Sequence, residues 1–282
     1  MLPRLRFLPA LLALLASALP ALRADTLADI KLRGIIERQQ TLFSDAAAQG
    51  AKLDQPSFHS QVELLCHEYE SFLRENPTAA AGYADYGYLL WKVGMRREAA
   101  GVLLKANQLD PEIPMVKNEL GNYLAEEGKP LDALNYFLSA LKLAPDEPLY
   151  HYQLGTLLYE ARDDFLKSGA WTADALDKTS HEAFKHAADL APDRIEFTYR
   201  YAESFYDIAN PNWDEALKVW AALESKAHGE VERQTLRLHE ANIWIRRNQP
   251  DRAREILAGV TEPGLQKQKQ KLVAALQATA GK

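Results

Sequence analysis

Along most of this chain apolar residues recur three and four positions apart, the spacing of one face of an α-helix, and each such run is short. The clearest stretch lies between Pro114 and Pro145 and predicts two short helices folded back on each other. Gly121 leaves room for a second helix to approach, Gly128 ends the first helix, and Pro130 falls in the first turn of the second, where its missing N–H costs little. Ala133, Phe137 and Ala140 then share one face, and Pro145 stops the helix.

Neither helix can bury its apolar face alone, so the pattern calls for neighbours of the same kind at a fixed period. Stepping back 34 residues places Gly87 under Gly121, Gly94 under Gly128, Ala99 under Ala133, Leu103 under Phe137, Ala106 under Ala140 and Pro111 under Pro145. These residues resemble the tetratricopeptide repeat, a helix–turn–helix unit. The resemblance implies an all-α fold, a right-handed superhelix or α-solenoid of stacked antiparallel helix pairs, with a concave groove that usually binds peptides or other proteins.

The register divides the chain. Residues 1–24 form a leader, 25–79 an N-terminal helical pair that is a degenerate repeat or a cap, 80–262 an array of about five repeats, and 263–282 a capping helix. In the N-terminal pair, Leu32, Ile35, Ile36 and Phe43 share one helical face, and Leu65, Tyr69, Phe72 and Pro77 have the spacing that ends a repeat. The third repeat begins at Tyr150, Leu154 and Gly155 and ends at Phe184, Ala187 and Pro192, but about 13 extra residues sit near 162–179. An insert of that kind maps to one edge of a stack. Ala202 opens a fourth repeat and Ala241 a weaker fifth, which lacks the terminal proline. After the break at Pro263-Gly264, Leu265, Leu272, Val273 and Leu276 form the inward face of the last helix.

Composition changes this picture at the two ends. With 47% apolar and 26% charged residues the chain is ordinary for a globular protein. In the leader, Arg4 and Arg6 precede an apolar run from Phe7 to Leu19 that is short for a membrane span and is interrupted by Pro9. Small residues at Ala16-Ser17-Ala18 and at Ala24 before Asp25 suit cleavage, which predicts a secretory signal peptide, with an uncleaved anchor as the alternative. Its removal takes away three arginines and moves the formal charge from −6 to −9. So acidic a chain has no excess cations to displace phosphate counterions, so no nucleic-acid partner is expected, and no stable membrane span remains after cleavage. The single cysteine, Cys66, lies in an apolar helical stripe and cannot form an internal disulfide. A secreted chain without disulfides or a usable glycosylation sequon fits a bacterial envelope, periplasmic or secreted.

The resemblance also implies which side chains would meet a partner. If the first helix of each pair lines the groove and Gly87, Gly121, Gly155, Ala202 and Ala241 face the second helix, residues three before and one, four and five after each turn toward the partner. Tyr88, Trp91, Asn118, Asn122, Tyr152, Tyr159, Glu160, Tyr199, Glu203, Tyr206 and Asp207 are the candidates drawn from that rule. Tyrosine buries large area with little rotamer entropy, asparagine both donates to and accepts from a peptide backbone, and the carboxylates select positive charge. The partner expected is a protein or peptide segment, neutral or basic. These tyrosines could instead pack between repeats. Some members of the family clamp acidic C-termini with Lys, Arg and Asn; the matching places here hold Ala84, Tyr88, Leu149 and Gln153, so the cations are missing.

No metal or cofactor is expected. His181 and His186 flank a zinc-protease-like run, yet five residues separate them by about 140° around a helix, too far for one metal on one face. Phosphate-loop, dinucleotide and nucleophile-elbow patterns are absent. The function expected is therefore a non-enzymatic interaction adaptor or scaffold of the cell envelope. A structural or self-associating subunit, a homo-oligomer using its convex face or insert, stays open beside it, and an enzyme using the insert as a lid is a third class for which no acid, base and nucleophile can be named.

Overall fold

The structure, a computed structural model, describes residues 26–280, with side chains as far as residue 277. The leader and its cleavage sites lie outside the described residues. Every element of the described residues is helical, and none of the helices is long and apolar enough to cross a membrane. The chain divides into two compact units, 1–126 and 127–282, and the boundary falls inside the repeat at 114–147.

The first unit holds α1 (Leu27–Gln49), α2 (Gln55–Glu75), α3 (Ala80–Lys92), α4 (Arg96–Leu109) and α5 (Pro114–Glu126). Thr26 caps α1 through a reciprocal box with Asp29. Pro56 sits in the first turn of α2, where proline is tolerated. Tyr69 and Phe72 of α2 and Leu89, Leu90 and Leu103 of α3 and α4 have 0 to 2% of their surface exposed, and Tyr69 stacks on Tyr86 while its hydroxyl donates to Gln39 Oε1 at 2.9 Å. The turn between α3 and α4 is set by Gly94, whose φ of 84° lets Met95 N–H reach back to the Leu90 carbonyl at 2.9 Å.

The second unit holds α6 (Pro130–Leu143), α7 (Pro148–Glu160), α8 (Arg162–Lys167), α9 (Ala173–Leu190), α10 (Ile195–Ser204), α11 (Trp213–Ser225), α12 (Glu230–Arg246), α13 (Pro250–Ala258) and α14 (Gln266–Ala280). The insert of the third repeat is the short helix α8, pinned by buried Phe165, together with an early start to α9. Arg162 binds Asp177 through two hydrogen bonds of 2.7 and 2.9 Å and ties the insert to α9. One core gathers Phe184, Phe197, Phe205, Trp220 and Ile243, and a second, terminal one gathers Ala241, Ala253, Leu257, Val260, Leu265 and Leu276. The weak fifth repeat keeps the turn of the strong ones. Asn248, seven residues after Ala241 as Gly94 is after Gly87, takes φ 57° and allows Gln249 N–H to reach the Trp244 carbonyl at 2.9 Å. Of the four residues placed on the inward face of the last helix, Val273 is 37% exposed, since α14 meets α12 and α13 along a narrow Leu272 and Leu276 seam.

The close approach within each pair is physical at Gly87 and Gly155. A Cβ on Gly87 would lie 2.6 Å from Leu103 Cδ2, and one on Gly155 would lie 2.8 Å from Phe184 Cε1. Ser180 adds to the second of these, its hydroxyl donating to the Gly155 carbonyl at 2.9 Å in a buried position. Gly155→Ala should therefore lower stability by about 1–3 kcal/mol through overpacking. Gly101→Ala on the open face of α4, where nothing lies within 4 Å, should leave stability unchanged or raise it by up to ~1 kcal/mol. Paired urea melts read both.

Burial alone pushes the Asp85 carboxyl up to about 7 from an ordinary 3.8. The folded state therefore binds this proton more tightly than the unfolded chain, so its contribution to stability grows as pH falls from about 7 toward 3.8 and is lost above 7. Asp85→Asn should raise the melting temperature at pH 8 and should flatten its rise on acidification between pH 8 and 5, as thermal scans across that range would show.

Candidate functional site

In the first unit the expected partner-facing residues come from α3 and α5, which pack side by side. At their centre is Glu119, a residue the sequence rule passed over. Its carboxylate is 5% exposed and accepts from Asn118 Nδ2 at 3.2 Å and from Asn122 Nδ2 at 3.0 Å. Burial pushes its pKa up, against the pull of both amides and of Arg96 and Lys92. Asn118 is fully buried, and its Oδ1 has no hydrogen-bond partner. Tyr88 is half-buried, its hydroxyl pushed up to about 12 by burial and by the charge of Glu119. Trp91 is half-buried under Arg96, whose guanidinium lies 3.9 Å from the ring centroid, bonds the Trp91 carbonyl and pairs with Glu126 at 3.3 Å. Two amides and a carboxylate thus hold one another, and a cation covers the tryptophan.

The second unit brings the remaining seven candidates into two groups. The first is built on α7, α9 and α10. Tyr152 is half-buried, with ring centroids 5.8 Å from Phe184 and 4.8 Å from Phe197. Tyr159, one helical face further along, is 46% exposed, and Glu160 beside it is exposed. Arg200 bridges the group. Its guanidinium lies 4.0 Å from the Tyr159 ring centroid and 4.4 Å from that of Phe184, and its ion pairs with Glu203 and Asp207 are 3.9 and 3.7 Å. Both distances exceed a hydrogen bond, and Nη2 of Arg200 is buried without a hydrogen-bond partner. Burial raises the pKa of both carboxyls while Arg200 opposes the shift. Arg200 and Glu203 are i, i+3 neighbours on α10, and Asp207 follows in the turn after the helix ends at Ser204, still 3.7 Å from the guanidinium.

The second group centres on His239 of α12. Its ring stacks on Trp220 at 4.0 Å and 10°, Tyr199 Oη is 3.1 Å from its Nε2, and the Tyr206 hydroxyl donates to its backbone carbonyl at 3.1 Å. Tyr206 also lies against Trp213 and under Arg246. Tyr199 and Tyr206 are both half-buried, and they couple α10 and the turn after it to α12. Sequence spacing missed Arg200 and His239: neither falls at the four offsets, and only the i, i+3, i+7 relation to Glu203 and Asp207 could have singled out the arginine. His181 and His186 face different neighbours, His181 meeting Ser204 Oγ at 2.7 Å and His186 the ring of His151 at 5.3 Å. Among the described residues no group of three or more His, Cys, Asp or Glu side chains is placed to hold a metal.

Burial pulls the His239 pKa down to about 4 from 6.5. The unfolded chain binds that proton first, so this residue subtracts stability as pH falls from 6.5 toward 4. His239→Gln should therefore reduce the acid sensitivity of melting between pH 6.5 and 4, the reverse of the sign expected for Asp85.

No family model matches the chain. It is similar to a TPR repeat-containing protein of Treponema pallidum (strain Nichols), 27% identical over 194 residues, which cover 68% of this chain. The match spans about a quarter of that relative, 24% of its length. Among solved structures, YrrB, described as a TPR protein with an unusual peptide-binding site, superposes with a TM-score of 0.57 at 18% identity over 75% of this chain and 97% of its own. PilF of Pseudomonas aeruginosa superposes with a TM-score of 0.50 at 21% identity over 74% and 95%. At these identities the structures show that the fold is shared.

Proposed function

We propose that this chain, which is built of tetratricopeptide repeats, is a non-enzymatic protein-interaction adaptor of the cell envelope that takes a neutral or basic peptide segment on its second unit. The observation that carries the reading is the stripe of Arg200, Glu203 and Asp207 beside exposed Tyr159. It offers an extended segment two chemistries at once. Tyr159 supplies an aromatic surface, and the carboxylates attract a lysine or arginine side chain. The ring pair at Tyr159 and Phe184 holds the guanidinium in place before any partner arrives, which lowers the ordering cost of binding. The acidic balance of the whole chain supports the same choice of partner by steering it electrostatically. The leader pattern and the lack of a cysteine pair support the envelope location.

Tyr152, Tyr199 and Tyr206 are poor probes of this site because their rings and hydroxyls already join neighbouring helices. Tyr159→Ala and Glu203→Gln/Asp207→Asn touch the exposed stripe. On an array of extended peptides carrying a single Lys or Arg, Ala or Glu, the unaltered chain should prefer the basic set. The double neutralisation should weaken that binding roughly tenfold, about 1.4 kcal/mol, and remove its salt dependence. Equal binding of the three sets, or an unchanged salt slope in the neutralised chain, would remove the cation-selecting role. Alkaline phosphatase fused after Lys282 and expressed in a bacterium should be active, and an inactive fusion would remove the envelope location.

A further inference from the structure

Charge is spread unevenly along this acidic chain. Residues 25–245 carry 22 Lys and Arg against 36 Asp and Glu, a net −14, whereas residues 246–282 carry eight against three, a net +5. Part of that basic excess has an unusual setting. Arginines that rest on a ring elsewhere also meet a carboxylate: Arg96 on Trp91 pairs with Glu126, Arg194 on Phe197 with Glu196, and Arg200 on Tyr159 with Glu203 and Asp207. Around the turn from α12 to α13 two arginines have the ring without the carboxylate. Arg246 lies 5.1 Å from the Tyr206 ring centroid and 5.8 Å from that of Trp213, and Arg252 lies 4.4 Å from the centroid of Trp244. Both are exposed, and neither has an ion pair among the described residues, although nearby Arg247 pairs with Asp214 and Arg254 with Asp251. Arg252 also sits in the first turn of α13, where the helix dipole disfavours a cation, so helix stability does not account for it.

We propose that Arg246 and Arg252 receive the carboxylate side chains of an acidic protein segment at the turn between α12 and α13. A guanidinium laid on a ring spends its face there and leaves its N–H edge for an anion, and its side chain is already ordered, so binding restricts little more. Tyr206, Trp213 and Trp244 are half-buried beside the two arginines, and Trp, Tyr and Arg are the residues on which binding energy concentrates at protein interfaces. Asn248 and Gln249, exposed in the turn, supply amides for the backbone of such a segment. Two observations favour it over other anions. Asp214 and Asp251 stand exposed among the arginines and would repel a dense row of phosphates, while spaced carboxylates can avoid them. None of the large apolar residues of 244–258 is exposed, so a bilayer has nothing there to take in. The surface uses none of Tyr159, Arg200, Glu203 or Asp207 and stands whether or not they bind a basic segment.

Fluorescence anisotropy of labelled extended peptides carrying a pair of Glu, Gln or Lys residues, titrated with the purified chain, tests the site. The Glu peptide should bind roughly tenfold more tightly than the Gln peptide, and the difference should shrink as salt rises. Arg246→Gln/Arg252→Gln should abolish that difference with unchanged helicity and melting. The same variant should not weaken binding of the Lys peptide, which reports separately on the carboxylates beside Tyr159. Lys267→Gln/Lys271→Gln removes two exposed cations of the same basic region from α14 and should keep the preference for Glu. Equal binding of the Glu and Gln peptides, a preference that survives loss of both arginines, or an equal loss from the two lysines would each overturn the proposal. Phosphatidylglycerol vesicles should not bind; arginine-dependent binding to them in place of the Glu peptide would assign the arginines to a lipid surface and overturn it as well.

Discussion

The structure depends on how near two helices of a pair can come. At Gly87 the partner side chain, Leu103, occupies the space a Cβ would need, and at Gly155 the ring of Phe184 does the same. Close approach lets those large side chains lie fully buried with Ala99 and Ala106, or Ala183 and Ala187, beside them. A single short helix could not shield these residues, and at this length it would be marginal in water. Each pair also leaves apolar surface at its edges, which is why the pattern must repeat and why Phe184 belongs to the same core as Phe197 and Trp220 of the next repeat.

This dependence explains what could be read from the sequence. The period, the turns and the core came through because each is fixed by residues whose spacing is local: Gly94 and Gly128 for positive φ, Pro130 for a helix start, Leu103, Phe137, Phe184 and Trp220 for burial. Even the weak fifth repeat kept its register, with Asn248 doing what glycine does elsewhere. The site was less legible. Offsets along a helix give the direction of a side chain, but they do not say which neighbour it meets. Tyr152, Tyr199 and Tyr206 meet Phe197 and His239 of neighbouring helices. Asn118 and Asn122 are spent on Glu119, a pairing that depends on rotamers. Arg200 is outside the offsets, because its long side chain folds across Tyr159 and Phe184.

Aromatic residues in such an array serve two demands that draw on the same atoms. A ring that joins repeats must be buried and its hydroxyl satisfied, which is the condition of Tyr199 and Tyr206 on His239. A ring that greets a partner must be reachable and held in place, which is the condition of Tyr159 under Arg200. The carboxylates follow the same division. Glu119 is withdrawn and bonded by amides, while Glu203 and Asp207 face a guanidinium at distances too long to saturate them. Arg200 lies between the two carboxylates and moderates their repulsion without saturating either.

The outer surface is judged by a different rule, because it is not needed for the stack. A residue there that contributes nothing to packing is free to be charged, and Arg97, Lys178, Asp214 and Asp251 are. Leu131 departs from that rule in α6, Leu138 shares its exposed place with Leu104 of α4, and the buried side of α6, Ala133, Phe137 and Ala140, stays ordinary. The departure therefore does not come from the demands of the repeat. Leucine is no better than lysine or arginine at forming helix, so propensity does not account for it either. What leucine adds at such a place is apolar area, and the gain from that area is realised only when something removes it from water.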